Sequence, residues 1–153
     1  MSLTVLLDSG PLGLLTNPKR TQDTIDATQW AIAMMLAGHR FVVPAIADYE
    51  VRRELIRARK AKGLSSLDRW NTARPDRYLP LSDSALRLGA DLWARARNAG
   101  TATADPKELD ADVLIAAQAL DIGLPSSDFV IATVNVGHLA LFVPADLWTN
   151  IKP

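Results

Sequence analysis

The chain has 153 residues, 48% hydrophobic and 22% charged, with 17 Lys and Arg balancing 17 Asp and Glu. This is the size and composition of one ordinary globular domain, and a zero net charge excludes any global attraction to nucleic acid or anionic membrane. Cysteine is absent, which rules out disulfides and thiolate metal sites and fits a reducing compartment.

No apolar run reaches the roughly 18 to 20 residues needed to span a bilayer. The first residues also lack the basic-then-apolar pattern of a cleaved leader. The expectation is a single domain over residues 1–153, cytoplasmic and without a membrane partner. The first element, "LTVLL" at 3–7, has strand length and runs into Asp8, after which Ser9, Gly10 and Pro11 stop it. "TQDTIDATQWAIAMMLAG" carries Ile25, Trp30, Ala33, Met34 and Ala37 at helical spacing, with Thr21 as its cap and Gly38 as its stop. "RFVVP" is a short strand closed by Pro44.

"AIADYEVRRELIRARKAKG" contains no breaker and reads as one long helix reaching Gly63, followed by a second helix in "SSLDRWNTARPD". "RYLPLS" reads as a third strand, kept to a sheet edge or a strand end by Pro80. A helix capped by Ser82 and stopped by Gly100 comes next, and then "TATADPKE" with loop character. "LDADVLIAAQALDIG" is a nearly all-apolar, buried helix; "DFVIATVNVG" and "LALFVPADLW" supply a fourth strand and a short last one. Alternating strands and helices predict a three-layer α/β/α domain with a central parallel sheet of four to five strands.

In such sheets ligands bind beyond the carboxyl ends of the strands. That rule puts Asp8, Thr133 and Asn135 on one rim, with Glu50 near it at the start of a helix. Each acid also has a plain structural reading. Asp8 can cap a turn, and Glu50 can pair with Arg53 at i+3. Asp112 shares the apolar face of its helix with Ile115, Ala116 and Ala119, where a carboxylate is costly unless compensated. Asp110, two residues earlier, competes with it. The expectation assigns Asp110 to the helix cap or the surround of the site and Asp112 to the inward role.

Carboxylates converging from three elements repel one another and raise their own pKa values, a penalty that a divalent cation removes. An all-oxygen set suits Mg²⁺, or Mn²⁺, and no Cys or His lies nearby in sequence to suggest zinc. Charge is also clustered. Between positions 52 and 62 stand Arg52, Arg53, Arg57, Arg59, Lys60 and Lys62 against Glu54 alone. Alone, such a run reads as a solvated helix face.

His39 and His138 read as structural, and the four Trp residues, scattered singly, read as packing. No phosphate-loop, dinucleotide or serine-hydrolase motif occurs. A phosphatase using Asp8 as nucleophile would want a second acid two residues on, where Gly10 stands.

"LLDSGPLG", "VVPAIADYEVRREL", "LDADVLIAAQAL" and "FVIATVNVGHL" together resemble, in order, the four acidic motifs of PIN-domain ribonucleases, above all the VapC-like toxins of toxin–antitoxin pairs. The resemblance runs over almost the whole chain. It implies a PIN-like fold and a Mg²⁺-dependent endoribonuclease in which Asp8, Glu50 and Asp112 hold the metal and Asn135 completes the catalytic set. Ser9, Asp110 and Thr133 would support them, and Arg52, Arg53 and Arg57 would hold RNA phosphates. It further implies a cognate antitoxin protein as partner and a homodimer. Asn135 departs from the fully acidic version of the pattern, so a second metal ion should bind more weakly. The alternative is a catalytically degenerate PIN-like module that binds RNA or protein without cutting.

Overall fold

A computed structural model of the protein describes residues 1–100 and 106–153. The elements follow in the order β1 (Thr4–Leu7), α1 (Ser9–Thr16), α2 (Gln22–Leu36), β2 (Arg40–Pro44), α3 (Ala45–Arg57), α4 (Ala61–Thr72), β3 (Tyr78–Leu79), α5 (Asp83–Asn98), α6 (Pro106–Asp121), β4 (Phe129–Thr133) and β5 (Ala145–Leu147), with 3₁₀ turns at Leu139–Leu141 and Trp148–Asn150. The sheet has five strands in the order β3-β2-β1-β4-β5. Every pairing is parallel, as expected for strands joined through helices.

The central strands are apolar on both faces, and their alternation sorts the two cores. Leu6, Val42 and Ile131 point to one side, where α5 and α6 cover them through Leu92, Leu109, Val113 and Ala116. Val5, Leu7, Phe41, Val43 and Ala132 point to the other, against Leu12 of α1, Met34 of α2, Ala47 of α3 and Leu67 of α4. The three layers follow from this period of two. Trp30, Phe41, Trp70 and Trp148 form one aromatic cluster in the second layer, and the Trp30 indole donates to the Ile151 carbonyl at 2.8 Å. Trp93 packs against the other core, so all four Trp residues serve packing.

Thr21 caps α2 reciprocally with Thr24, and Ser82 caps α5 by accepting from the Ala85 N–H, both at the expected positions. Two expectations fail. The long helix ends at Arg57: Lys60 N–H donates to the Leu55 carbonyl and Arg59 N–H to that of Ile56, a Schellman closure. Its left-handed position is occupied by Arg59 at φ 55°, the only non-glycine with positive φ among the described residues. With no glycine there, the sequence carries no visible stop. Gly63, expected as that stop, lies inside α4. A Cβ on it would fall 2.7 Å from Leu55 Cδ2, so it lets α3 and α4 approach closely.

The second failure concerns α6, which starts at Pro106, a turn earlier than its apolar pattern suggests. Proline suits a first helical turn because its missing N–H has no helical partner there. Of the loop expected at 101–108, residues 106–108 are the first turn of α6 and 101–105 lie outside the described residues.

Candidate functional site

Asp8 directly follows β1 and is the N-cap of α1, its Oδ1 accepting from the Ser9 N–H at 2.8 Å. The structural reading of Asp8 as a cap is therefore correct, and it leaves the second carboxylate oxygen free for another partner. That oxygen lies 2.7 Å from the hydroxyl of Thr133, the fully buried last residue of β4. The same hydroxyl is 2.9 Å from the Asn135 carbonyl and accepts from the Asn135 N–H at 3.1 Å. Its single proton goes to the carboxylate, the shorter and charge-assisted contact. Thr133 thus joins the ends of β1 and β4 and fixes the turn that presents Asn135.

Beyond that turn, the Asn135 side-chain oxygen accepts from the Gly137 N–H at 3.1 Å. Gly137 adopts φ 47°, and a Cβ there would lie 3.7 Å from Asp112 Oδ2 and 3.8 Å from Asn135 Oδ1. Asp112 and Asn135 therefore flank the same glycine. Asp112 sits in the second turn of α6 and is half-buried. Asp110 is exposed and lies within the helix, not at its cap, so the capping role expected of it does not exist. The earlier start at Pro106 moves the cap away from it.

Glu50 comes from the second turn of α3, with its side chain 22% exposed. Burial raises its pKa above the ordinary carboxylate value, and repulsion from Asp8 and Asp112 raises it further. Arg53, with a nitrogen 3.9 Å from Glu50 Oε2, opposes this. Three acids from three elements thus share one electrostatic environment at the carboxyl ends of β1 and β4. Among the described residues no three His, Cys, Asp or Glu side chains are gathered tightly enough to form an assembled metal cage. The donor set is nonetheless all oxygen and self-repelling, the chemistry that a hard divalent cation relieves.

Two residues given no part in the site by the sequence position this set. Gln118 of α6 is 1% exposed in an otherwise apolar stretch. Its amide donates to the Leu79 carbonyl at 3.0 Å and accepts from the Ile46 N–H at 3.3 Å, which ties the start of α3 to α6 and to the end of β3. The polar residue in a buried helix was the available signal. Gly10 is the other: a Cβ on it would lie 2.6 Å from Val134 Cγ2. Gly10 is helical and serves a close approach of α1 to the segment that follows β4, and not a tight turn.

A groove of about 900 Å³ opens from Ser9, Gly10 and Glu50 between α1, α3 and the start of α4. Arg53, Arg57, Arg59, Lys60, Lys62 and Lys19 line it, with Glu54 as the further acid. Arg52 does not. Its guanidinium grips the buried Asp48 through Nε at 2.9 Å and Nη2 at 3.0 Å, and reaches Asp68 of α4 at 2.7 Å. Asn71 also donates to Asp48, at 2.8 Å. Arg52 is a bracket between α3 and α4 and leaves the group expected to meet phosphate. Lys60 and Lys62, expected to be plain surface, join the groove because the chain reverses after Arg57. His39 is structural: its Nδ1 accepts from the Leu3 N–H at 3.0 Å.

Solved structures share this architecture along nearly the whole chain. FitAcB from Neisseria gonorrhoeae contains a chain 19% identical, with a TM-score of 0.66, over 96% of this chain and 99% of that one. VapBC2 from Rickettsia felis, bound to a DNA fragment from their promoter, matches at 14% identity and TM-score 0.68, over 95% and 99%. VapBC-1 from nontypeable Haemophilus influenzae matches at 16% identity and TM-score 0.59, over 97% and 100%. No family model and no curated protein matches the sequence. The likeness is one of fold: the chain is a PIN-like three-layer α/β/α domain with a five-stranded parallel sheet.

Proposed function

We propose that this chain is a metal-dependent endoribonuclease, the toxin of a toxin–antitoxin pair. The observation that carries this reading is the shared environment of Asp8, Glu50 and Asp112, in which burial first and the two other acids after it push up the pKa of Glu50. The fold shared with FitAcB and VapBC structures supports the same class, as does the order of acidic motifs in the sequence.

These residues fit a hard divalent ion by charge and donor type. Asp8, Glu50 and Asp112 would hold it; Mg²⁺, or Mn²⁺ in its place, would supply Lewis acidity toward phosphate and a more acidic bound water. Thr133 and the Ser9 N–H fix both oxygens of Asp8, so its orientation is set before any ligand arrives. Asn135 contributes a neutral oxygen or N–H beside Asp112, orienting a water or phosphate without adding charge. Arg53 and Arg57, with Arg59 and the groove lysines, would carry the RNA backbone toward these acids through phosphate contacts. A cognate antitoxin as partner, a homodimer and a cytoplasmic setting belong to the same reading. No helix among the described residues is long and apolar enough to cross a membrane.

The test is cleavage of RNA by the purified full chain with Mg²⁺ or Mn²⁺, together with the rise in Tm that either ion produces. Asp8→Asn and Asp112→Asn should each cut cleavage by at least about a hundredfold, the upper end of what outer-shell partners of a metal contribute. They should also abolish the metal-induced rise in Tm. Cleavage that survives both substitutions refutes the assignment. RNA binding without cleavage, and without a metal effect on Tm, would favour the non-cutting module, consistent with the charge that Asn135 lacks.

A further inference from the structure

A second pocket, of about 280 Å³, lies at the far end of the sheet from the acids, where β2 begins and the chain enters β3. Arg40, Arg74, Arg77, His39 and Asp76 are among its lining residues. Three guanidiniums therefore meet one carboxylate. Arg40 and Asp76 already pair at 3.1 Å.

Arg77 is the unusual member. It is 4% exposed, yet its guanidinium makes no ion pair with a carboxylate among the described residues. Nη1 donates to the Trp70 carbonyl at 3.2 Å, Nη2 approaches Met35 Sδ at 4.0 Å, and Cζ stacks 4.2 Å from the centre of the Trp70 ring. Nε has no hydrogen-bond partner. A buried cation with an idle donor is costly, and a ring face and a thioether return only part of that cost. Burial and repulsion from Arg74 both lower the Arg77 pKa, with Asp76 opposing them. His39 adds a neutral donor, because its Nδ1 is occupied as an acceptor and the proton sits on Nε2.

We propose that this pocket binds a phosphate group, gripped by Arg40 and Arg74 above the buried charge of Arg77. The forked donors of arginine match a tetrahedral oxyanion, and the excess positive charge gives the site its sign. Free phosphate and the phosphate of a nucleotide share this chemistry. The site is separate from the acidic rim and does not depend on the nuclease reading.

The experiment measures Tm of the full chain in chelator, with inorganic phosphate, adenosine monophosphate, adenosine, or chloride at matched ionic strength. Phosphate at roughly tenfold its half-saturating concentration should raise Tm by about 3–6 °C over chloride. Arg74→Gln, at an exposed position, should raise the basal Tm slightly by removing repulsion and should lose the phosphate response. Arg53→Gln with Arg57→Gln, in the groove, should keep it. A response at lower concentration to adenosine monophosphate assigns the site to a phosphomonoester; equal potency assigns it to the free anion. An equal response to chloride or adenosine, a response that survives Arg74→Gln, or one lost instead with Arg53 and Arg57 overturns the proposal.

Discussion

Substituting Gly10 by Ala tests whether the rim is built on a close approach. Gly10 is helical, so Ala should by itself gain up to about 1 kcal/mol of helix propensity. The new Cβ, however, would stand 2.6 and 2.8 Å from the two methyls of Val134 and 3.2 Å from its Cβ. Rotating χ1 of Val134 cannot clear both methyls, so the backbone after β4 must shift. Overpacking of this kind costs about 1–3 kcal/mol, which leaves Gly10→Ala up to about 2 kcal/mol less stable than the parent. Val134 is 53% exposed, so truncating it alone should cost well under 1 kcal/mol. Gly10→Ala/Val134→Ala should return to near the parent stability. Urea unfolding of all four proteins would then show a coupling energy of about 1–3 kcal/mol. RNA cleavage should fall in Gly10→Ala and recover in the double variant, because the displaced segment presents Asn135. A single variant at least as stable as the parent, or coupling within about 0.5 kcal/mol of zero, would refute the argument.

Two further outcomes are expected. Burial and the neighbouring acids hold the Glu50 carboxyl above the ordinary carboxylate range in the folded chain, so its ionised form costs stability that its protonated form does not. In chelator, Glu50→Gln should therefore gain in Tm over the parent as pH rises from about 4 to 8, with the difference vanishing at the acid end. Parallel Tm curves would contradict this. Arg59→Gly relieves a left-handed backbone position and should stabilise the fold by about 1 kcal/mol while weakening RNA binding through the lost groove cation. Denaturant midpoints and filter binding measure the two effects, and a variant that loses stability would show that Arg59 is not strained.

The strands were legible because they are short apolar runs bounded by Gly, Pro or charged residues, and both tested caps because Thr21 and Ser82 stand immediately before their helices. Asp8 and Glu50 could be placed near one rim because strand-end and helix-start positions in a parallel sheet converge there, whereas Asp112 joined them only through its charge on an apolar face and the resemblance of motifs. The break after Arg57 was not, since arginine occupies a position where glycine would have announced it. Arg52 looked like its basic neighbours because Asp68, one of its partners, lies on the other side of that hidden reversal. Asp110 was misplaced by one helical turn, although Pro106 carried the signal for the true start.

The amide of Gln118 has a kinetic consequence. The Ile46 N–H in the first turn of α3 donates to Gln118 of α6 at 3.3 Å, and the same Gln118 amide donates onward to the Leu79 carbonyl of β3 at 3.0 Å. Fraying of α3 at that end must break a part-buried bond to a helix in the opposite layer, which sets the opening of the Ile46 amide apart from ordinary end fraying. Its hydrogen exchange is tied to the opening of α6. Glu50 and Asp112 ride on those two helices, so one amide bridges the elements that carry both acids.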